Sequence, residues 1–121
     1  MTINAEGCAG RQILIVEDNF LVATAIAQML ETRGFEIIGP VGTVRDALAL
    51  VKNCERIDGA VLDVNLHGTM AYPIVDALRS KSVPLVFMTG YDRRSIEPGY
   101  ADVPCMQKPV TAERLIGALF G

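Results

Sequence analysis

Gln12-Ile13-Leu14-Ile15-Val16-Glu17-Asp18 is an unbroken apolar run, rich in β-branched side chains, that ends on two adjacent acids. A strand with one wet face alternates apolar and polar residues, so a run without alternation implies a strand covered on both faces. The period then changes. Phe20 to Arg33 brings Val22, Ile26, Met29 and Leu30 to one side of a helix, and Gly34-Phe35 supplies a glycine stop with an apolar residue behind it. A doubly covered strand followed by an amphipathic helix is one β-α unit of a parallel sheet.

The same unit recurs outward from this stretch. Glu36 to Val41 forms a second strand, and Thr43 opens a helix with Asp46 three residues on, resembling a capping box, and with Val44, Ala47, Leu48 and Val51 as its buried stripe. Gly59 to Leu62 is a third strand. A loop through His67-Gly68 leads to a helix with Pro73 in its first turn and Ile74, Ala77 and Leu78 facing inward. Pro84 to Met88 is the fourth strand, whereas Asp92 to Asp102 carries Pro98 and Gly99, which predict a short or irregular fourth helix. Pro104 to Gln107 and Thr111 to Phe120 complete a fifth unit, with Gly117 a weak point in the last helix. The expected fold is α/β, a doubly wound five-stranded parallel sheet in the order 2-1-3-4-5. In that order strand 2 lies outside the switch point, and its end, Pro40-Val41-Gly42, carries no reactive side chain.

The chain of 121 residues is long enough for one core, expected over residues 11–121, with residues 1–10 as a flexible polar arm. Half of it is apolar and 21% is charged, which excludes disorder. Eleven basic residues against 14 acidic ones give a charge of −3, and the basic residues are scattered. Nucleic acid is therefore not an expected partner. The single basic pair, Arg93-Arg94, reads as a solvated loop. Cys8, Cys54 and Cys105 lack metal-ligand spacing and suit reduced thiols. No apolar run reaches the roughly 18 residues of a membrane helix, and Met1 to Gly10 has no signal-like pattern, so no membrane is implied and the cytoplasm is the expected location.

Polar residues follow four of the five strands: Glu17-Asp18, Asp63, Thr89 and Lys108-Pro109. Alone, the acid pair suits a helix start, Thr89 an ordinary strand, and Lys108 a loop cation. Together, on one edge of one sheet, they form a different object. Like charges some 4 Å apart repel by about 4 kcal/mol at an effective dielectric near 20, so three clustered carboxylates call for a cation. Oxygen ligands suit Mg²⁺ or Mn²⁺, which keep waters and take phosphate oxygens. A carboxylate beside such a cation can attack phosphorus, and Asp63, on the central strand, is best placed for it. Lys108 would pair with phosphoryl oxygens and the Thr89 hydroxyl would donate to another.

These residues resemble the receiver domain of bacterial two-component response regulators, from Gln12 to about Leu119. The resemblance implies a flavodoxin-like fold, phosphorylation on Asp63, metal binding by Glu17, Asp18, Asp63 and the backbone carbonyl of Asn65, a switch at Thr89, and a cis bond between Lys108 and the structural Pro109. Pro84-Leu85-Val86-Phe87-Met88-Thr89-Gly90-Tyr91 is similar to the FATGY subgroup, with Met88 where that pattern has alanine; its members are often single-domain receivers. Most receivers place an aromatic residue three positions before the lysine, where this chain has Cys105. The readout is accordingly expected at Tyr91 or in Asp92 to Asp102, with Tyr91 also a candidate for obstructing water.

The resemblance implies a signalling switch, with self-catalysed transfer and autodephosphorylation only. Its partners are a histidine kinase or phosphotransfer protein, a downstream protein, and a second copy through the helix 4 to helix 5 face. A Mg²⁺-dependent phosphohydrolase of the haloacid-dehalogenase kind is the rival from another class. It wants a second aspartate two residues after the nucleophile, where this chain has Asn65. A phosphorylation-independent interaction module would typically have lost part of the acidic set, which is intact here. His67, in the loop after Asp63, reads as a solvated histidine near the path of an incoming donor.

Overall fold

The computed structural model describes residues 10–90 and 96–121. The expected arm up to residue 9, with Cys8, and the expectations for Tyr91 and Arg93-Arg94 lie outside the described residues. The elements are β1 (Gln12–Val16), α1 (Phe20–Thr32), β2 (Glu36–Val41), α2 (Val44–Asn53), β3 (Gly59–Asp63), β4 (Asn65–Leu66), β5 (Thr69–Met70), α3 (Tyr72–Ser80), β6 (Leu85–Thr89), β7 (Cys105–Gln107) and α4 (Ala112–Phe120), with a 3-10 turn at Pro98–Tyr100.

Local chemistry sets the helix ends. The Asn19 side chain accepts from the N–H groups of Leu21 and Val22, satisfying two donors that the first turn of α1 leaves open. At the other end Phe35 N–H donates to Leu30 C=O and Gly34 N–H to Glu31 C=O, with Gly34 at φ 92°. This is the Schellman arrangement that the glycine stop implied. Thr43 and Thr111 cap α2 and α4 by accepting from Asp46 and Arg114 N–H. Pro73 sits in the first turn of α3, where no intrahelical donor is lost.

Five parallel strands run in the order β2-β1-β3-β6-β7, which is the expected 2-1-3-4-5 once the small β4-β5 hairpin is set aside. Alternate residues face opposite layers, as strand geometry requires. Leu14, Val16, Ala60, Leu62 and Phe87 pack with α2 and α3, whereas Ile13, Ile15, Val61, Val86 and Met88 pack with Ile26, Leu30, Leu115 and Leu119 of α1 and α4. Both faces are covered, which is why the central strands read as continuous apolar runs.

Two features go beyond the sequence reading, and a third bears it out. The loop after β3 contains an antiparallel hairpin, Asn65↔Met70 and Leu66↔Thr69, closed by His67 (φ 52°) and Gly68 (φ 89°). Two positive φ values in a two-residue loop make a type I′ turn, matched to strand twist. Between β6 and β7 the described residues hold the 3-10 turn Pro98–Tyr100, the short, irregular element that Pro98 and Gly99 led one to expect, with Tyr100 packed on the α2 and α3 side. Gly39-Pro40 is cis, in addition to the expected cis Lys108-Pro109.

The β2 end is also tighter than its bland composition suggested. Gly39 has φ 91°, and a Cβ there would lie 3.0 Å from Val41 N and 3.2 Å from Ile15 O, both backbone atoms that cannot swing away. Gly39→Ala is expected to lower unfolding free energy by about 1–3 kcal/mol, read as an earlier urea midpoint with an unchanged m-value. An unchanged midpoint would show that β2 relaxes freely at this point.

Candidate functional site

Register brings the polar strand ends to one edge. Val16 pairs with Leu62, Asp63 with Met88, and Thr89 with Gln107, so Glu17, Asp63, Thr89 and Lys108 fall within about one residue rise, roughly 3.3 Å, of a common line. Backbone bonds fix the ends laterally: Glu17 N–H donates to Val41 C=O, Val64 N–H to Met88 C=O, and Lys108 N–H to Thr89 C=O. Gly42 lies so near the acid pair that a Cβ there would stand 3.3 Å from Asp18 Cα. The supposedly silent end of the second strand is thus the backing against which Glu17-Asp18 rests.

Ligand oxygens of Glu17, Asp18 and Asp63 lie within 4.8 Å of one another. Glu17 is 3% exposed, Asp63 8% and Thr89 4%. Lys108 Nζ donates to Asp63 Oδ2 at 2.8 Å and stands 2.7 Å from Glu17 Oε1. The second contact is an ion pair on a buried oxygen that has no further hydrogen-bond partner among the described residues. Glu17 Oε2 accepts from Asn19 N–H, and Asp63 Oδ1 from Asn65 N–H. Asn65 opens the hairpin and its side-chain oxygen accepts from Gly68 N–H. Together Asp18, Asp63, Asn65, His67, Gly90 and Lys108 border an open pocket of about 530 Å³.

Charge is out of balance here. Burial raises the pKa of Glu17; Lys108 and the Asn19 N–H only partly offset it, and the Asp63 charge adds to the rise. For Lys108, burial alone would favour the neutral amine, but its contacts with Asp63 and Glu17 outweigh that and raise its pKa. One ammonium faces three carboxylates. A dication fits such a donor set: all-oxygen ligands, two of them on buried side chains, with a net negative charge.

His67 is a solvated turn histidine, 80% exposed, as its loop position implied, and its turn reaches the acid pair. Its N–H donates to Asp18 Oδ2 at 2.9 Å, and its imidazole Nδ1 is 3.3 Å from the same oxygen. The sequence signal for this contact was His67-Gly68 between Leu66 and Thr69, a glycine-containing turn. Cys105 lies in β7 opposite Phe87, half-buried.

Asp18 has no lysine partner among the described residues, so removing its charge relieves repulsion at the cost only of its contact with the exposed His67 imidazole. Without added metal, Asp18→Asn is therefore expected to raise unfolding free energy by on the order of 1 kcal/mol at neutral pH and low salt. The same variant should lose any stabilisation by MgCl₂ that the parent shows. Urea titrations with and without MgCl₂ read both; a variant less stable than the parent in metal-free buffer would mean the trio is not under repulsion.

Comparison with known proteins agrees with this geometry. The model of the response regulator receiver domain matches residues 13–120. The transcriptional regulatory protein PdtaR of Mycobacterium tuberculosis is 28% identical over 122 residues, 98% of this chain and 59% of that protein. The chain therefore spans about 59% of the length of that relative. The solution structure of SdrG from Sphingomonas melonis Fr1 is 37% identical, with a TM-score of 0.81 over 96% of this chain and 100% of that one. The BeF3-activated conformation of SdrG from Pseudomonas melonis Fr1 is 39% identical, with a TM-score of 0.79 over 93% and 98%. With its acid trio, lysine and threonine gathered on one sheet edge and the family model spanning nearly its whole length, the chain belongs to the response regulator receiver domain family.

Proposed function

We propose that this chain is a phosphorylation-activated switch of two-component signalling that accepts a phosphoryl group on Asp63 from a histidine kinase or phosphotransfer protein. The observation that carries the proposal is the convergence of Glu17, Asp18 and Asp63 within 4.8 Å, two of them touched by Lys108. Mg²⁺, or Mn²⁺, bound there with help from the Asn65 carbonyl would offset the surplus negative charge and draw in phosphoryl oxygens.

Asp63 supplies the nucleophile. A carboxylate oxygen forms a bond to phosphorus as the phosphorus–nitrogen bond of the donor breaks, and the imidazole keeps the electron pair. Asn65 N–H and Lys108 hold the two oxygens of Asp63 in fixed directions, which limits the orientations to be searched. The Lys108 ammonium then has phosphoryl oxygens to pair with, and the Thr89 hydroxyl donates to another. Phe20 and Leu21, 78% and 76% exposed on the first turn of α1, offer apolar footing for the donor beside the acid pair. Return to the resting state is hydrolysis of the acyl phosphate. A phosphohydrolase fits less well, because the Asn65 side chain has no acidic proton and is tied to Gly68. The proposal takes residues 11–121 as the receiver unit, in the cytoplasm, within the FATGY subgroup.

With Cys105 in the usual aromatic position, the readout is assigned to the connection after Thr89. Its described part is strapped to α3. Tyr100 stacks on Tyr72 at 4.3 Å, its hydroxyl donates to Asp76, Arg79 pairs with Asp102 at 2.7 Å, and Glu97 N–H donates to the Tyr72 hydroxyl. Tyr72 in turn meets Phe87 of β6 edge-on, two residues before Thr89. A shift of β6 therefore has a packed route to the surface through Tyr72.

Incubation with a small phosphodonor and Mg²⁺ is expected to add one acid-stable, base-labile phosphoryl group to the parent and none to Asp63→Asn, read by intact mass. Turnover of phosphate esters in the same assay would favour the hydrolase. Amide and ring resonances of Tyr72, Glu97 and Tyr100 are expected to shift on phosphorylation; if they stay in place while Thr89 moves, the readout runs elsewhere.

A further inference from the structure

One short hairpin holds acids from two different strands. Successive N–H groups along a strand point to opposite edges, and Leu66 pairs with Thr69 across the hairpin. The N–H groups on either side of Leu66 are therefore turned out toward the site. Asn65 N–H donates to Asp63 Oδ1 at 3.1 Å, and His67 N–H donates to Asp18 Oδ2 at 2.9 Å. Asp63 ends β3 and Asp18 lies just beyond β1, so the hairpin ties together the ends of two neighbouring strands.

Asp18 depends on this tie more than Asp63 does. Lys108 holds the second oxygen of Asp63, whereas the Asp18 carboxylate takes its hydrogen bond, among the described residues, from the His67 turn. It faces two like charges within 4.8 Å, and repulsion favours its swinging outward. The fold of the turn keeps the His67 N–H aimed at it. Gly68 has φ 89°, a conformation that L side chains rarely adopt, yet a Cβ there would meet nothing within 4 Å. Backbone freedom, and not space, is what this glycine supplies. Asn65 Oδ1 accepts from Gly68 N–H at 2.6 Å and closes the turn from inside. Below, Leu66 is buried and Ala71 N–H donates to Val64 C=O, which anchors the hairpin to the core.

We propose that Gly68 and the Asn65 side chain are positioning residues for phosphoryl transfer to Asp63: they set the turn whose backbone keeps Asp18 facing Asp63. The proposal rests on the phospho-acceptor reading of Asp63 and adds how the site keeps its shape before a donor arrives. Neither Gly68 nor the Asn65 amide needs to touch the phosphoryl group. Such preorganisation matters because misplacing a group by about 1 Å can cost on the order of a hundredfold in rate.

The test compares Gly68→Val, Gly68→Ala, Gly68→Asn and Asn65→Ala with the parent. The space around a Cβ at Gly68 is open, so the three replacements there differ chiefly in backbone tolerance: asparagine enters the left-handed region readily, alanine poorly and valine least. Phosphorylation by a small phosphodonor is followed by intact mass across a MgCl₂ series. The MgCl₂ concentration giving half-maximal rate is expected to rise by about tenfold or more in Gly68→Val and Asn65→Ala, by less in Gly68→Ala, and to return near the parent value in Gly68→Asn. A second measurement needs neither metal nor donor. In metal-free urea titrations Asp18→Asn is expected to raise the midpoint in the parent and to raise it much less in a Gly68→Val or Asn65→Ala background, where Asp18 has already swung away. Should the valine variant not fold, Gly68→Ala and Asn65→Ala carry both measurements. A MgCl₂ dependence equal in the parent and every folded variant, or an Asp18→Asn shift equal in all backgrounds, overturns the proposal. A parent that takes up no phosphoryl group overturns the phospho-acceptor reading instead, and the urea cycle then decides by itself whether the turn holds Asp18.

Discussion

Three carboxylates crowd the carboxyl edge of the sheet beside one ammonium that touches two of them, and the rest of the molecule is arranged to tolerate that imbalance. At an effective dielectric near 20, each like pair about 4 Å apart repels by about 4 kcal/mol, so the acids would separate if their backbones allowed it. The backbones do not. Glu17 and Asp63 continue strands whose flanking residues are fully buried on both faces, and apolar burial contributes about 25 cal/mol per Å² to keeping those strands in place. The core thus holds together charges that are disfavoured on their own. A cation entering there meets a site whose cost of assembly is already met by folding.

Much of this was visible in the residues because the strongest signals were local and periodic. Ile13 to Val16, Gly59 to Leu62 and Leu85 to Met88 lack alternation, which gave the doubly covered sheet, and Gly34-Phe35 ended α1 with the expected carbonyl pairing. Asp63 and Lys108 were found because each follows an apolar run. The hairpin at Asn65 to Met70 was missed because its strands are two residues long, too short for period-2 alternation to register. Contact between Asp18 and His67 spans 49 positions and depends on a turn that places a non-glycine residue at positive φ. Gly42 was passed over because a missing side chain leaves no chemical trace in a sequence; its importance is the space it leaves beside Asp18.

The region after Thr89 shows how a departure from family pattern is absorbed. Pro98 and Gly99 gave a 3-10 turn in place of a helix, and such a turn buries little by itself. Side chains supply the missing adhesion: one ring stack, one tyrosine–aspartate hydrogen bond and one arginine–aspartate pair attach it to α3. Exposed ion pairs contribute modestly, about 0–1 kcal/mol, so the aromatic stack is the stronger part of the attachment. A segment held this way can be released by small changes in packing beneath it.

Lys108 reaches Glu17 and Asp63 from the loop after β7, across most of the length of the sequence. During synthesis the acids of β1 and β3 leave the ribosome well before their counter-charge does, and β6 emerges with no neighbour on its outer side until β7 arrives. A nascent chain halted before that point would present crowded anions beside an open strand edge, the kind of intermediate that chaperones bind and aggregation consumes. The charge balance of this edge is therefore completed only once residue 108 has been made, and a product cut short before it would leave Glu17 and Asp63 without their ammonium.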